Sequence, residues 1–321
     1  MIKAGVIGAA GYTGGELIRL LLLHTEIELT FAQSESQNGK FIYEIHKDLF
    51  GQTDLKFSDP LDLQVDVIFL CKGHGESRKF LEKALIPYQT KIIDLSQDFR
   101  WQEHSSFQNR KFIYGLSELN KEKLNFADSV ANPGCFATAI ELALLPLAKK
   151  GLLQSSIHVS ATTGSTGAGQ SLSESTHFSW RSNNHSSYKE LDHQHEKEIM
   201  ETIAPFQGEL DFIPQRGAFT RGIHATIYTE INEDLMQLNS IYTSYYNDSP
   251  FVHLTPFVPD VKMVVNTNNC FLHLTKKKNK VIITSVIDNL MKGAAGQAIQ
   301  NMNLLFGKNE KTGLTLKPST F

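Results

Sequence analysis

The most constraining feature of this sequence is a turn, ANPGC at residues 131–135, between a short apolar run and a helical pattern. Pro133 and Gly134 force a sharp change of direction, and Asn132 is a suitable cap for the helix that follows. Cys135 therefore falls at a helix N-terminus, where unpaired backbone N–H groups and the helix dipole favour a thiolate. A single cysteine is more often a buried structural residue. The turn, together with the partners described below, instead favours a nucleophile.

A second motif lies at the start of the chain, where the apolar strand pattern of residues 2–7 leads into GAAGYTG at residues 8–14 and then a helical pattern starting at Glu16. A strand, a glycine turn and a helix in this order are typical of a dinucleotide-binding fold. Glycines let backbone N–H groups approach a pyrophosphate at the helix N-terminus. Three glycines also suit a plain tight turn, but the position favours cofactor binding. The predicted contacts are Gly8, Gly11, Tyr12, Thr13 and Gly14.

The tip of the second predicted strand indicates which dinucleotide binds. This strand spans residues 27–32 and ends in QSES at residues 33–36. An NAD enzyme usually carries an acid at the strand end to hold the ribose hydroxyls. The hydroxyls of Ser34 and Ser36 suit a 2′-phosphate instead, although no arginine accompanies them. The sequence therefore predicts NADP(H) as the cofactor.

Further apolar runs at residues 65–71 and 91–95 alternate with helical patterns. This alternation predicts an α/β fold with a doubly wound parallel sheet of the Rossmann type, whose ligands lie beyond the carboxyl ends of the strands. Arg100 and Cys135 both follow strand ends of this kind, so we expect them at one site. After residue 151 the pattern changes, and a polar stretch at residues 164–191 reads as a functional or disordered loop.

A nucleophilic cysteine needs a base, and the segment HQHEKE at residues 193–198 supplies histidines at the start of a helical pattern. Glu198 lies three residues after His195 and shares its helix face, so it is placed to orient the imidazole and stabilise its charged form. The alternative is a metal site formed by His185, His193 and His195. It is disfavoured because no cysteine or acid completes a ligand set at suitable spacing. We therefore predict no metal.

The composition of the chain limits the kinds of partner that it can bind. The chain has 321 residues and a net charge of −3, so no global basic field attracts nucleic acid or an anionic membrane. No apolar run approaches the about 20 residues that span a bilayer. The three cysteines are odd in number and widely spaced, and the chain opens directly into a strand pattern. These features predict a cytoplasmic protein that acts on a small molecule.

Taken together, the motifs resemble the N-acetyl-γ-glutamyl-phosphate reductase family, which is related to aspartate-semialdehyde dehydrogenase. The resemblance covers nearly the whole chain through GAAGYTGGEL (8–17), DLSQDFR (94–100), YGLSEL (114–119), ANPGCFAT (131–138), TGSTGAGQ (163–170), HQHEKE (193–198), TRGI (220–223) and DNLMKGAAGQAIQNMN (288–303). It implies NADPH-dependent reduction of an acyl phosphate to an aldehyde, a step of arginine biosynthesis that proceeds through a cysteine thioester.

The same resemblance implies the domain organisation. It predicts an NADP-binding Rossmann domain at residues 1–134, completed by a returning C-terminal helix at about 289–321. A catalytic and dimerisation domain of α+β type, with a mixed sheet, is expected at residues 135–288. Members of the family assemble as homodimers or homotetramers.

Site residues carry over by position. Cys135 resembles the nucleophile and His195 the acid–base histidine, while His193, Arg100 and Glu198 resemble supporting residues of the substrate site. Asn289 and the first glycine loop resemble cofactor contacts. Arg100 and Arg221 are candidate anchors for the phosphoryl or α-carboxylate group. Each of the two arginines equally suits a structural ion pair.

The sequence departs from the family pattern at two places. Ser117 replaces the usual proline of YGLPEL, and residues 214–223 keep only the ends of PHLVPMTRGI. Arg216 places a guanidinium where that loop is normally apolar, which suggests an N-succinyl rather than an N-acetyl substrate. The alternative is that Arg216 points to solvent or pairs with another subunit.

Two other functions remain open from the sequence. The first is the same chemistry on β-aspartyl phosphate. The spacing of the HxHxxE segment disfavours this alternative. The second is a non-catalytic NADP-binding sensor that keeps the fold, in which Cys135 is an ordinary thiol.

Overall fold

The computed structural model describes residues 1–59 and 63–319. The chain divides into two compact units: Met1–Gly134 with Ala294–Thr315, and Cys135–Gly293 with the residues from Leu316 onward. The predicted boundary at residue 289 therefore differs from the observed one, and so does the assignment of the C-terminus. The backbone N–H of Ser319 donates to the carbonyl of Val265, which ties the chain end to the second unit. Residues 320 and 321 of the predicted range lie outside the described residues.

The described strands follow one another in this order: β1 Ile2–Ile7, β2 Ile27–Gln33, β3 Phe57–Ser58, β4 Val67–Leu70, β5 Lys91–Asp94, β6 Ser106–Phe107, β7 Arg110–Tyr114, β8 Ser129–Ala131, β9 Ile157–Thr163, β10 Ser186–Ser187, β11 Leu210–Arg216, β12 Ile223–Glu230, β13 Val252–Leu254, β14 Cys270–Lys277 and β15 Lys280–Ile287. The described α-helices are α1 Tyr12–Leu23, α2 Ile42–Ile45, α3 Glu76–Lys83, α4 Ser117–Leu124, α5 Cys135–Lys149, α6 Phe178–Arg181, α7 His195–Thr202, α8 Leu235–Tyr245 and α9 Gly296–Leu305. A π-helical turn, Met291–Ala295, precedes α9.

Within the described residues, the first unit is built on an eight-stranded sheet of order β3-β2-β1-β4-β5-β8-β7-β6. All neighbouring strands are parallel except β6 and β7. Strand β4 is buried along its whole length, as its continuous apolar sequence requires of a strand covered on both faces. The predicted doubly wound parallel sheet is confirmed.

Helix α1 begins at Tyr12, earlier than the start at Glu16 that the apolar pattern predicts. Gly14 and Gly15 lie inside the helix and are buried. A Cβ at Gly14 would lie 2.7 Å from backbone atoms of Ala9, so only glycine allows this close approach of the helix to the loop. The helix therefore rises directly out of the glycine-rich loop.

The described part of the second unit contains a seven-stranded mixed sheet of order β10-β11-β9-β12-β15-β14-β13. Strand β9 pairs parallel with β11 and antiparallel with β12, and β12 and β14 both pair antiparallel with β15. Helix α5 packs on the central strands, while α8 packs near β13 and β14. Along β12 the side chains alternate between buried and more exposed, which is typical of a sheet with one covered face. The predicted mixed sheet is confirmed.

The polar stretch at residues 164–191 contains more order than its composition indicates. It forms helix α6 and strand β10, and β10 pairs antiparallel with β11 so that Ser186 lies opposite Arg216. Arg216 is therefore the last residue of a strand, whereas the sequence suggested a connecting loop from residue 215. Pairing with Thr163 on its other side extends β11 to this residue.

No helix in the described part of the chain is long and apolar enough to cross a bilayer.

Candidate active site

Cys135 is the first residue of helix α5, directly after strand β8 and the Pro-Gly turn. The placement agrees with the sequence pattern, but the expected cap does not form. Asn132 uses its amide oxygen to accept from Asn301 at 3.0 Å and its amide nitrogen to donate to the carbonyl of Ala294 at 3.2 Å. Asn132 therefore fixes the segment before the elbow, while the helix itself starts at the half-buried Cys135.

Gly293 lies against the cysteine. A Cβ added at Gly293 would lie 2.7 Å from the Cβ and 3.2 Å from the Cα of Cys135. Real carbon atoms do not approach so closely without displacement. Glycine at this position therefore makes room for the first residue of helix α5.

Two buried histidines lie beside the start of α5. The rings of His193 and His195 are 4.7 Å apart in an edge-to-face arrangement. Phe136, the residue after the cysteine, contacts them with ring separations of 5.6 Å and 6.2 Å respectively. The structure thus brings His193 and His195 to the N-terminal end of the cysteine helix, as a base near a nucleophile requires.

The hydrogen bonds of His193 define its tautomer. Its Nδ1 accepts from the backbone N–H of His195 at 3.2 Å, so a neutral His193 carries its proton on Nε2. The backbone N–H of His193 donates to the carboxylate of Glu196 at 3.1 Å, which fixes the residue just before helix α7. Glu198 is buried on α7, three residues after His195. Its orienting role toward His195 stays a prediction.

Arg100 bonds to backbone carbonyls in the first unit. Its Nε donates to the carbonyl of Asn132 at 2.9 Å, and one terminal nitrogen donates to the carbonyl of Leu95 at 3.0 Å. This buried guanidinium therefore supports the segment that leads to the elbow. A contact between Arg100 and substrate stays a prediction.

Arg221 forms an ion pair with Asp288 in the second unit, with two nitrogens at 3.0 Å from the same carboxylate oxygen. Asp288 is fully buried and also accepts from the backbone N–H groups of Asn266 and Leu290. The ion pair that the sequence left open for Arg221 is thus present. Its contact with substrate stays a prediction.

Arg216 stacks on an aromatic ring near the nucleophile. Its guanidinium carbon lies 4.8 Å from the ring centre of Tyr188, and that ring lies 5.9 Å from the ring of His193. Burial raises the pKa of Tyr188 to about 12, and the charge of the Cys135 sulfur adds to the increase while Arg216 opposes it. Tyr188 therefore connects Arg216 with the histidine pair.

In the first unit, the glycine loop has the form that a pyrophosphate requires. Gly8 has a left-handed φ of 76°, and a Cβ there would lie 2.6 Å from the carbonyl oxygen of Cys71. Gly11 is the N-cap of α1, and neither a side-chain cap nor an acidic residue occupies the first turn, which includes Tyr12 and Thr13. An uncapped helix N-terminus that follows a glycine loop is a ready site for phosphate groups. The residues present fit a dinucleotide.

The tip of β2 carries the two serines that predict NADP(H). Ser34 is buried and Ser36 is exposed, and their hydroxyl oxygens are 3.4 Å apart. The Nζ atom of Lys72, which follows strand β4, lies 3.9 Å from the carboxylate of Glu35 between them. The structure thus places a positive charge near the two serines, where the sequence pattern showed no accompanying arginine.

Asn289 binds two loops of the second unit together. Its amide oxygen accepts from the backbone N–H of Gly222 at 2.7 Å, and its amide nitrogen donates to the hydroxyl of Thr166 at 3.0 Å. It therefore holds the start of β12 against the loop after β9. A contact with the cofactor stays a prediction.

The sequence left open a metal site at three histidines. Among residues 1–59 and 63–319, no group of three or more His, Cys, Asp or Glu side chains is placed to hold a metal ion. The Nε2 atom of His185, one of these three histidines, lies 3.3 Å from the hydroxyl oxygen of Thr162.

Comparison with known proteins identifies the family. Two family models match, the NAD-binding domain of semialdehyde dehydrogenase over residues 3–127 and the semialdehyde dehydrogenase dimerisation domain over residues 135–289. A relative from Christiangramia forsetii is 53% identical over 325 residues, and one from Azobacteroides pseudotrichonymphae is 54% identical over 322 residues. Each alignment covers the full length of both chains, and both relatives are named N-acetyl-γ-glutamyl-phosphate reductase. This chain belongs to the N-acetyl-γ-glutamyl-phosphate reductase family. The predicted resemblance is confirmed.

Solved structures of other semialdehyde dehydrogenases share the fold of this reductase family member. Aspartate semialdehyde dehydrogenase II from Vibrio cholerae has a TM-score of 0.75 at 17% identity, over 96% of this chain and 99% of that one. The Candida albicans aspartate semialdehyde dehydrogenase, solved with NADP, has a TM-score of 0.67 at 15% identity, over 97% and 99%. At these identities the likeness shows the fold alone.

Three residues of this reductase family member escape the sequence patterns. Lys72 comes near the serines only because β1 lies between β2 and β4 in the sheet. Gly293 contacts a cysteine that is distant in sequence. Arg181 ends helix α6 inside a stretch whose composition indicates a loop. A cation just after a strand of the Rossmann sheet was a usable signal for Lys72, but no local pattern marks the other two.

Proposed function

We propose that this chain catalyses the NADPH-dependent reduction of N-acyl-γ-glutamyl phosphate to N-acyl-glutamate 5-semialdehyde with release of phosphate, a step of arginine biosynthesis. The observation that carries the proposal is Cys135 at the start of a helix whose next residue, Phe136, contacts the buried histidines 193 and 195, in a chain of this family. A thiol in this position suits attack on an activated carbonyl.

In the first half of the reaction, the thiolate of Cys135 forms a bond to the γ-carbonyl carbon. The bond from that carbon to the phosphate oxygen breaks, inorganic phosphate leaves, and His195 holds the proton of the thiol. The N–H groups of the first turn of α5 stabilise the negative charge that develops on the carbonyl oxygen. The product of this half-reaction is a thioester on Cys135.

In the second half, the thioester carbon is reduced and the carbon–sulfur bond then breaks. NADPH supplies the hydride when it is bound. The oxyanion of the resulting thiohemiacetal collapses to the aldehyde, and Cys135 returns to its starting state with His195 managing the proton. The residues that would hold the cofactor are the glycine loop at 8–14, Ser34, Ser36 and Lys72 in the first unit, with Asn289 as a further candidate.

The roles of the two units follow from this assignment. The first unit, with its parallel sheet, binds the cofactor, and the second performs catalysis and dimerisation. A homodimer or homotetramer is supported by apolar side chains on the uncovered face of the mixed sheet, where Ile213, Tyr228 and Ile282 are exposed and the last two are register partners. We place the enzyme in the cytoplasm because the three cysteines, all in the described part of the chain, form no disulfide.

The test of the proposed function is phosphate-dependent reduction of NADP with two aldehydes, N-acetylglutamate semialdehyde and aspartate semialdehyde. We expect turnover of the first and at most trace turnover of the second. Preference for aspartate semialdehyde would instead support the β-aspartyl phosphate reaction.

A second measurement separates an enzyme from a non-catalytic NADP-binding sensor. Iodoacetamide should label Cys135 rapidly near pH 6, and His195→Ala should remove that reactivity. Slow labelling with the profile of an ordinary thiol near pH 8.5 would favour the sensor.

A further inference from the structure

Two arginines of the second unit lie close together without an acidic partner. Arg216 ends β11, and its register partner Ser186 in β10 also lies 3.4 Å from a terminal nitrogen of Arg181. Arg181 is only 7% exposed, and its other terminal nitrogen donates to the carbonyl of Asn184 at 2.6 Å. Within residues 1–59 and 63–319, no carboxylate pairs with either guanidinium.

Each of the two arginines has a buried nitrogen without a hydrogen-bond partner among the described residues. In both Arg181 and Arg216 this atom is Nε. Burial lowers the pKa of Arg181, and the positive charge of Arg216 lowers it further. Placing two like charges together in a partly buried site is costly unless an anion neutralises them. The arrangement is that of a site whose anion comes from a ligand.

This arginine pair is connected to the reacting centre. Arg216 lies over the ring of Tyr188, and that ring contacts the ring of His193. A ligand bound by the arginines would therefore extend toward the cysteine. The substrate of the proposed reaction is the natural source of the missing anion.

The chemistry of the substrate offers one anion that depends on the acyl group. Every N-acyl-γ-glutamyl phosphate carries a phosphoryl group and an α-carboxylate, whichever acyl group is present. An acyl group that ends in a carboxylate adds a third anion, which an N-acetyl group does not supply. A succinyl group replaces one methyl hydrogen of the acetyl group by CH2–COO⁻, and a planar guanidinium binds a carboxylate in two-pronged fashion.

We propose that Arg181 and Arg216 form a carboxylate subsite for the acyl group, so that this enzyme prefers a substrate whose N-acyl group ends in a carboxylate, such as N-succinyl. The proposal rests on the proposed function and specifies its substrate. It also makes Arg216 a specificity residue, in place of the solvent-exposed or subunit-pairing role that the sequence left open.

The test compares N-succinyl- and N-acetylglutamate semialdehyde in phosphate-dependent NADP reduction. The wild type should have the higher kcat/KM for the succinyl compound. Arg216→Leu should lower kcat/KM for that compound by roughly 10- to 100-fold, the loss of a hydrogen bond between charged groups, and change the acetyl reaction far less. Arg216→Lys should retain part of the preference.

Arg110→Leu is the matched control, because Arg110 also stacks on a tyrosine, Tyr88, with its guanidinium carbon 5.6 Å from the ring. It lies in the first unit and should leave the succinyl-to-acetyl ratio unchanged. An equal loss for both semialdehydes in Arg216→Leu would overturn the subsite, since the arginine would then bind a group common to both. Equal or better turnover of the acetyl compound by the wild type would also overturn it.

Binding provides a readout that does not depend on turnover. N-succinyl-L-glutamate should raise the melting temperature of the wild type more than N-acetyl-L-glutamate does, and Arg181→Gln should abolish the difference. Equal shifts in the wild type would count against the subsite. If neither semialdehyde is turned over while the succinyl ligand still binds more tightly, the proposed function fails and the carboxylate site stands.

Discussion

Gly293→Ala should impair the reaction although Gly293 supplies no reacting group itself. The added Cβ would lie 2.7 Å from the Cβ of Cys135 and 3.3 Å from the carbonyl oxygen of Asp288. Carbon atoms in contact normally lie about 3.5–4.0 Å apart, so the first residue of α5 must move by roughly 1 Å. Overpacking of this size costs about 1–3 kcal/mol of stability. A displacement of about 1 Å at a reacting atom costs roughly 100-fold in rate.

The assay measures kcat, KM for the semialdehyde and the melting temperature of Gly293→Ala. We expect a large loss in kcat with a modest loss in melting temperature, and slower alkylation of Cys135. Gly73→Ala is the matched control, because its Cβ would meet no atom closer than 4.0 Å. A Gly293→Ala enzyme with wild-type kcat and stability would refute the close packing of Gly293 on the nucleophile.

Two further predictions concern the first unit. Lys72→Ala should lower kcat/KM for NADPH by roughly 10- to 100-fold and barely change that for NADH, because the Lys72 cation, 3.9 Å from the Glu35 carboxylate, would neutralise the 2′-phosphate of a bound cofactor. The control is Lys79→Ala, which removes an exposed lysine of α3. Equal losses for both cofactors would contradict this prediction. Burial raises the pKa of Asp94 from 3.8 to about 6, so the folded state holds this proton more tightly than the unfolded chain does. The folded state therefore loses stability as the pH rises from about 4 to about 6. Asp94→Asn should recover up to roughly 3 kcal/mol of the free energy of unfolding above pH 6 and little near pH 4. Equal melting-temperature shifts of this variant at pH 4.5 and pH 7.5 would show the prediction wrong.

Local chemistry explains what could be predicted from the sequence. A proline and a glycine before Cys135 leave few backbone paths, so the start of α5 is determined locally. The glycine loop is equally local, because Gly8 adopts a positive φ that other residues resist. The buried strand β4 is visible as an apolar run. Patterns of this kind carry over directly into structure.

Contacts between segments distant in sequence could not be predicted in this way. Asn132 looks like a helix cap, but Asn301 competes for its amide oxygen and the cap does not form. Arg216 looks like a loop residue until β10 and β9 pair with it on both sides. The proximity of Arg181 to Arg216 depends on the same pairing of β10 with β11. Such contacts require the assembled sheet, and the acyl-group subsite therefore becomes visible only in the structure.

The proposed mechanism depends on a covalent bond between Cys135 and the substrate carbonyl carbon. The most direct measurement is phosphate-dependent reduction of NADP by Cys135→Ser, with Cys270→Ser as the control for a buried cysteine of the same unit. We predict that Cys135→Ser loses essentially all turnover but still binds NADPH, while Cys270→Ser remains active. Turnover that persists in Cys135→Ser at a rate near that of the wild type would contradict the mechanism.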